Sequence, residues 1–378
     1  MERSDGQSKK DLALLAKNVE RLSLLLTTGR TSLPEAYLSD GGLRSAYVAY
    51  YLPANLSKIH TPLHELSLHG GTLCARETIR VLDLGCGPGT ASLGLLEYFA
   101  QHHGKTMLEF TAVDQVSGNL KEAEALFLLF RNRHAVEASF KTIQSDIAGV
   151  LHAVHGHFDV IVLSNVVNEL FGQDEGRIKK RVGIVAEIMK RFLTEEGSCI
   201  IIDPALRETS RDLLQVRDGL LDQGLHVYSP CLAGGHCPAL VNPKDWCHQD
   251  IPWDPPLLVQ EIDALTGLRK DSLKFSYLVM RKDGRSLADI CGTSAFRVVS
   301  DPLVSKGKRE LFLCNGGERK LAIRLDKDAT TQNVLFEQLR RGSVITCENV
   351  HDEGKRFKIG KDTVLTMTFS GPDRVSVA

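Results

Sequence analysis

The chain of 378 residues is 43% hydrophobic and 25% charged, with a formal net charge of −1. Such a length and composition are typical of a soluble globular protein with two or three domains. No run approaches the roughly 18 apolar residues of a membrane span, and the N-terminus lacks an apolar signal core. The nine cysteines, an odd number, do not suit a disulfide framework, so we expect a reducing, cytoplasmic location.

The N-terminal region, residues 1–75, is predicted to be helical. Residues 10–28 carry leucines and a valine near helical spacing, which predicts an amphipathic helix. A second helix is predicted over 41–59, where an aromatic stripe includes Tyr47. We expect this stripe to pack against the next domain.

Residues 76–284 alternate between apolar strands and helices. The predicted strands are 79–85, 108–114, 140–146, 158–165 and 198–204, and the predicted helices are 90–102, 118–137, 177–193 and 206–223. This alternation predicts an α/β fold with an open, doubly wound, Rossmann-like sheet. Residues 226–229 and 275–281 are predicted to add the last strands, with a cysteine-rich insert, 229–256, between them.

After residue 284 the alternation of strands and helices gives way to short, closely spaced strands. Short strand candidates recur at 295–300, 309–314, 320–325, 343–349, 355–359 and 363–369, with one helix near 331–339. The spacing predicts a small β-rich, OB-like barrel domain over 285–378. Its basic residues form two groups, Lys306, Lys308 and Arg309, and then Arg340, Arg341, Lys355, Arg356, Lys358 and Lys361. Such groups suit a nucleic-acid face and equally a solvated surface.

A glycine-rich segment follows the first strand of the predicted sheet. Asp83 precedes Gly85, Gly87 and Gly89, and a predicted helix begins directly afterwards. Glycines at such a turn let the backbone approach a ligand at the helix N-terminus. Asp114 ends the next strand, where a carboxylate can hydrogen-bond two ribose hydroxyls.

The D-x-G-x-G-x-G form resembles the S-adenosylmethionine site of class I methyltransferases and differs from the G-x-G-x-x-G dinucleotide fingerprint. The resemblance implies that Asp146 contacts the adenine amino group and that Asn165 belongs to the cofactor site. The polar residues expected at the carboxyl ends of the strands are the catalytic candidates: Asn165, Asn168, Glu169 and Asp203. They include no recognisable acid–base pair, so the catalytic residues are left unassigned.

The segment 229–250 gathers cysteines without a helix or strand period. Cys231, Cys237 and Cys247 follow the spacing C-x5-C-x9-C, and Cys314 lies much further along. Clustered thiolates in a loop usually hold a metal, because metal binding compensates for the missing apolar burial. Four thiolates suit a [4Fe–4S] cluster or a structural Zn²⁺, and nearby histidines keep a Cys3His zinc site open.

Together these motifs resemble the methyltransferase-like assembly proteins of the small ribosomal subunit, a family with a mitochondrial member and bacterial relatives. The resemblance spans roughly residues 40–360 and is carried by VLDLGCGPGT (81–90), SNVVNEL (164–170), PCLAGGHCP (230–238), DWCH (245–248), FSYLVMRK (275–282) and RVVSDPLVSKGKRELFLC (297–314). It implies that the [4Fe–4S] ligands are Cys231, Cys237, Cys247 and Cys314. It also implies association with the small subunit and its rRNA.

The sequence therefore predicts an S-adenosylmethionine-binding, metal-bearing, methyltransferase-like factor acting on the small ribosomal subunit. The alternative is an active RNA or small-molecule methyltransferase with a structural zinc site. No membrane or DNA partner is expected.

Overall fold

The computed structural model of the chain describes residues 5–28, 34, 36–69, 73, 76–103, 105–134, 136–371 and 374–376. The α-helices are α1 Asp5–Leu26, α2 Gly41–Ala46, α3 Leu52–Leu56, α4 His60–Ser67, α5 Thr90–His102, α6 Ser117–His134, α7 Val150–Ala153, α8 Arg177–Phe192, α9 Arg207–Leu221, α10 Leu257–Thr266 and α11 Ala288–Cys291. The strands are β1 Thr78–Leu84, β2 Met107–Asp114, β3 Ala138–Gln144, β4 Phe158–Ser164, β5 Leu193–Pro204, β6 His226–Ser229, β7 Gln249–Asp254, β8 Ser272–Arg281, β9 Phe296–Val298, β10 Leu303–Ser305, β11 Lys308–Cys314, β12 Arg319–Leu325, β13 Val344–Glu348, β14 His351–Asp352, β15 Arg356–Ile359, β16 Val364–Phe369 and β17 Val375–Ser376.

The chain divides into two compact units. The first comprises Met1–Ile202, Ile251–Leu273 and Arg374–Ala378, and the second comprises Asp203–Asp250 and Lys274–Asp373. The division into domains 1–75, 76–284 and 285–378 follows the type of element along the sequence, and it stays a prediction.

The first unit is built on parallel strands. β1 pairs with β2 on one side and with β4 on the other, and β3 and β5 extend the sheet outward from these neighbours. The chain therefore moves away from β1 in one direction and returns to its other side, which is the doubly wound topology. β4 is buried along almost its whole length, as expected for a strand covered on both faces.

Helices before the sheet pack tightly against α5. A Cβ atom at Gly94 would lie 2.4 Å from the Leu56 carbonyl oxygen and 2.8 Å from Ile59 Cγ2. The His60 Nε2 atom lies 3.0 Å from the carbonyl oxygen of the same glycine. Burial lowers the pKa of His60 to about 4, so its ring is neutral at physiological pH. A residue without a side chain thus allows two backbones to approach each other.

The second predicted helix is longer than the predicted 41–59. Asp40 caps its start by accepting hydrogen bonds from the backbone of Gly42 and Leu43, and helical turns of several types then continue to Ser67. Pro53 does not end the segment because it lies in the first turn of α3, where the missing N–H costs little.

The second unit contains α9, the antiparallel pair β6 and β8, and a curled C-terminal sheet. In this sheet the strand order is β14-β15-β12-β11-β9-β13-β16, with β10 paired to β11. Its core includes Val298, Leu311, Phe336 and Ile359, all fully buried. The six predicted strands are present, but the predicted helix near 331–339 is a single 3-10 turn, Val334–Glu337.

The predicted fold class is confirmed: an α/β protein of the class I methyltransferase type, with an N-terminal helical region and a small curled β sheet near its C-terminus. The sequence did not predict β7 or α10, which follow the cysteine segment. Within the described ranges, no helix is both long and apolar enough to cross a bilayer.

We predict that Gly94→Ala destabilises the protein, because the added methyl group would overlap a backbone carbonyl. Overpacking of this kind costs about 1–3 kcal/mol. The measurement is the free energy of unfolding in urea.

The matched control is Gly183→Ala in α8, where an added Cβ meets nothing within 4 Å. Alanine there is expected to stabilise by about 0.5–1 kcal/mol, since glycine is a poor helix former. Equal effects of the two substitutions would show that the approach at Gly94 is not close in solution.

Candidate functional site

The glycine-rich loop lies where the order of the parallel strands reverses. It follows β1, and β1 lies between β2 and β4, so the loops after β1 and β4 meet at the switch point that open α/β sheets use for ligands. Gly85 has a φ of +66°, and a Cβ there would lie 2.5 Å from Val166 Cγ2. Glycine is therefore required both by the backbone conformation and by the loop that follows β4.

Asp83 is a buried carboxylate beneath this loop. Its Oδ2 accepts hydrogen bonds from the Ser92 backbone N–H and hydroxyl, at 3.1 and 2.6 Å. Its Oδ1 is buried and has no hydrogen-bond partner within the described part of the chain. Burial raises the pKa of Asp83 to about 6, although the Ser92 bonds act in the opposite direction. An unpartnered, buried carboxylate oxygen at the head of a glycine loop is a feature of a ligand pocket.

Asp114 ends β2 and faces the same loop. Its Oδ2 accepts from the Gly87 N–H at 2.8 Å, and its Oδ1 accepts from the Val116 N–H and the Asn119 amide. Burial raises its pKa, partly offset by these hydrogen bonds. The carboxylate is thereby fixed beside the loop, where it can present oxygen atoms to a polyol.

The other expected cofactor residues differ in setting. β3 ends at Gln144, so Asp146 lies two residues beyond the strand rather than at its last position, and it accepts from the Gly149 N–H at 2.6 Å. Asn165 follows β4 with a φ of +59°, and its N–H donates to the Ile202 carbonyl at 2.6 Å. A left-handed asparagine is an uncommon backbone state that often marks functional loops.

Tyr47 is a residue that the sequence did not assign to the site. Its hydroxyl lies 3.4 Å from the Thr90 hydroxyl and accepts from the Asn55 amide at 3.3 Å. Thr90 is the first residue of α5, directly after the glycine loop. Burial raises the pKa of Tyr47, and Glu169 and Asp83 act in the same direction. One residue of the aromatic stripe therefore reaches the ligand loop, which no helical spacing could have indicated.

The catalytic candidates are not equivalent. Asn168 is buried, and its carbonyl accepts from the buried Arg181 at 2.9 Å. Glu169 is exposed in the turn after β4. Asp203 is buried near the end of β5 and belongs to the second unit. Their catalytic roles stay predictions.

A separate site lies within the second unit, where all four predicted metal-binding cysteines line one cavity. These are Cys231, Cys237, Cys247 and Cys314. Cys314 is the last residue of β11, and the turn that follows it abuts the loop of the other three. A Cβ at Gly316 would lie only 2.7 Å from the Ala233 backbone nitrogen.

One arginine of α9 fixes the second half of the cysteine loop. Arg211 donates from Nη1 to the carbonyls of Ala239, Asn242 and Asp245, at 3.2, 2.9 and 2.7 Å, and from Nη2 to that of Leu240. These carbonyls belong to a segment with little regular structure, so the guanidinium supplies the donors that a helix or sheet would otherwise provide.

The first half of the loop is held about two turns further along the same helix. Arg217 is fully buried and donates from Nη1 to the Gly235 carbonyl at 2.9 Å and from Nη2 to the Ala233 carbonyl at 3.2 Å. The Asp218 carboxylate accepts from the Cys237 N–H at 3.0 Å. α9 is therefore the scaffold of the cysteine loop, a role that its sequence did not indicate.

The cavity wall also carries cations and donor groups. Arg297, Arg319 and Arg341 line it together with Trp246 and His248. Among the described residues, no hydrogen-bond partner is present for the buried nitrogens Trp246 Nε1, His248 Nδ1, Arg319 Nε and Arg341 Nε. Burial lowers the pKa of His248 to about 4, and Arg341 acts in the same direction. Arg319 pairs with Asp245 and Arg341 with Asp301. The buried N–H groups of the wall nevertheless suit a guest that accepts hydrogen bonds.

Burial also raises the pKa of the thiols in the cavity. For Cys314 the value rises to about 12, with Cys231 contributing after burial. The pKa of Cys237 and that of Cys247 are raised for the same reasons. In the described part of the chain, no group of three or more His, Cys, Asp or Glu side chains is arranged to hold a metal ion. The four thiols line one cavity.

The parallel sheet, the glycine loop and its two carboxylates define an α/β protein of the class I methyltransferase type. The chain belongs to the family described as mitochondrial small ribosomal subunit Rsm22, which matches residues 43–358. This confirms the family resemblance inferred from the motifs. No curated protein matches the chain.

Solved structures that resemble the chain include an rRNA methylase from Streptococcus thermophilus, with a TM-score of 0.31 and 12% identity over 58% of this chain and 94% of that one. An O-methyltransferase family protein from Burkholderia thailandensis has a TM-score of 0.32 and 14% identity, covering 71% of this chain and 68% of its own.

Proposed function

We propose that this protein is an S-adenosylmethionine-binding, [4Fe–4S]-bearing, methyltransferase-like factor that acts on the small ribosomal subunit and its rRNA. One observation carries the proposal: a chain of this family combines a nucleoside-type glycine loop with an arginine-rich cavity that is lined by four cysteines. Each part of the proposal has its own support and its own test.

Binding of S-adenosylmethionine is supported by the polar groups around the glycine loop. Asp114 suits the ribose hydroxyls, and Asp146 suits the adenine amino group. Asn165, in the loop after β4, is the third residue assigned to this site. The glycines 85, 87 and 89 all have positive φ values, and the missing side chains at these three positions let the loop backbone approach the cofactor. The unpartnered Asp83 Oδ1 is a hydrogen-bond acceptor for this cationic ligand or for a water molecule bound with it.

We predict that Asp114→Ala weakens S-adenosylmethionine binding at least about tenfold. Hydrogen bonds to a charged group contribute about 1.5–3 kcal/mol, and the substitution removes two such bonds to ribose. Calorimetric titration measures the change. Asp174→Ala is the control, because Asp174 is an Asp of the same unit that pairs with Lys180 outside the loop. Unchanged affinity of the Asp114 variant would contradict the assignment.

A [4Fe–4S] cluster suits the donor groups of the cysteine cavity. Four thiolates can bind such a cluster or a structural zinc ion, and the groups around the thiols favour the cluster. A cluster bound by four thiolates is larger, carries net negative charge and offers sulfide acceptors. The buried N–H groups of Trp246 and Arg319 match those acceptors. When bound, the cluster would supply cross-links between the loop 231–247 and β11.

We predict that Cys237→Ser loses iron and lowers the melting temperature by roughly 5 °C or more, because metal-binding energy is folding energy in such a site. The protein is purified without oxygen, and iron, sulfide, zinc and the melting temperature are measured.

Cys347→Ser is the matched control, since Cys347 lies in β13 and does not line the cavity. This variant should keep the metal content of the wild type. If the wild-type protein contained stoichiometric zinc and no iron, the cluster assignment would be wrong and the structural zinc site would take its place.

Association with the small subunit is supported by the family and by an exposed basic strand. Arg356 and Lys358 point outward from β15, while the alternating Phe357 and Ile359 are buried. Lys355, just before the strand, is also exposed. Such a row of cations can follow phosphates.

Other predicted basic residues have internal partners. Arg341 donates to the Val299 carbonyl at 2.8 Å and pairs with Asp301 at 3.0 Å. Arg340 donates to Gly371 and Ser370. Their substitution would therefore disturb the second unit itself, so β15 provides the cleaner test of an RNA face.

We predict that Arg356→Gln combined with Lys358→Gln weakens binding to small-subunit rRNA. Two lost phosphate contacts should flatten the plot of log affinity against log salt by about 1.4–1.8. Co-sedimentation or filter binding at several salt concentrations measures this slope.

The control is Lys121→Gln with Lys141→Gln, which removes the same charge from exposed positions of the first unit. If both double variants change the slope equally, the effect reflects net charge and β15 is not the RNA face.

A further inference from the structure

Arg217 differs from the other loop-fixing residue of α9 because it contacts sulfur. Its Nε lies 3.3 Å from Cys231 Sγ, within the range of an N–H···S hydrogen bond. Arg211, on the same helix, donates to the backbone carbonyls 239, 240, 242 and 245. The two arginines therefore share a structural role, and one of them has an additional electrostatic contact.

Burial and fixed partners strengthen the electrostatic effect of Arg217 on the Cys231 sulfur. The residue is 0% exposed, so its charge is not screened by water. Its Nη1 atom also pairs with Asp218 at 2.5 Å and with the Gly235 carbonyl at 2.9 Å, and its Nη2 atom is held by Ala233. Because Nη1 and Nη2 are held by three acceptors in fixed directions, the guanidinium cannot rotate Nε–H away from the sulfur.

A fixed N–H donor next to a ligand sulfur has a known direction of effect. Positive charge and hydrogen bonds to sulfur stabilise the more negative, reduced form of an iron–sulfur cluster and so raise its reduction potential. Burial strengthens the effect, because the local dielectric constant is low.

We propose that Arg217 is a positioning residue that orients the Cys231 sulfur as a cluster ligand and raises the reduction potential of the cluster. This inference rests on the cluster proposed above. It assigns to a residue of α9 a task that the cysteine motif itself does not include.

The test compares Arg217→Met, Arg217→Lys and Arg211→Met in anoxically purified, full-length protein. The one-electron reduction potential is measured by electrochemical titration, with iron and sulfide content and the melting temperature determined on the same samples. Arg217→Met should lower the reduction potential by about 59 mV, which corresponds to a tenfold smaller equilibrium constant for one-electron reduction. Arg217→Lys keeps the charge and should recover part of the shift.

Arg211→Met is the matched control for loop stability. It should lower the melting temperature and leave the potential close to that of the wild type. If the Arg217 and Arg211 variants shift the potential equally, or if neither does, Arg217 has no specific effect on the cluster. If the wild type holds no iron and sulfide, the proposed cluster itself is refuted, and the inference fails with it.

Discussion

The anchoring of an irregular loop by two guanidinium groups of α9 is the interaction on which the cysteine site depends. A loop without helix or strand structure leaves its carbonyls without donors, and unpaired buried carbonyls are costly. Arg211 and Arg217 supply these donors from one helix, and Asp218 accepts from the loop in return. Because each bond involves a charged group, the set contributes more than neutral bonds would. The loop keeps its conformation through α9 rather than through its own core.

The glycine loop obeys a different constraint, set by the order of the strands. Reversal of strand order around β1 opens a space at the carboxyl ends, and the loop after β4 closes on Gly85. Only a residue without a side chain fits there. The carboxylates of Asp83 and Asp114 are buried beside this loop, and their raised pKa values record the cost of desolvation. Such groups are retained where a ligand compensates for that cost.

Both sites contain buried polar groups, and the proposed ligands would supply the partners that these groups lack. Around the glycine loop these groups are acidic, which suits hydroxyl and amino donors of a nucleoside. Around the cysteines they are arginines, Trp246 and His248, which suit an anionic guest. The acidic groups at the glycine loop and the arginines at the cysteines thus match the different chemistry of the two proposed ligands. The contrast gives each site a physical basis independent of sequence motifs.

Patterns in the amino-acid sequence were enough to predict the parallel sheet, the glycine loop and the β-rich C-terminal region, because burial and turn chemistry leave periodic or local signals. It also predicted the cysteine segment, and family resemblance added Cys314. Tertiary structure alone decided that α9 holds the loop, that Tyr47 reaches Thr90, that Arg341 points inward, and that the second helical segment continues past Pro53. Apart from the helical continuation, these features join residues that are separated in the chain through side-chain hydrogen bonds. Such contacts have no period and no spacing, so a one-dimensional pattern cannot contain them.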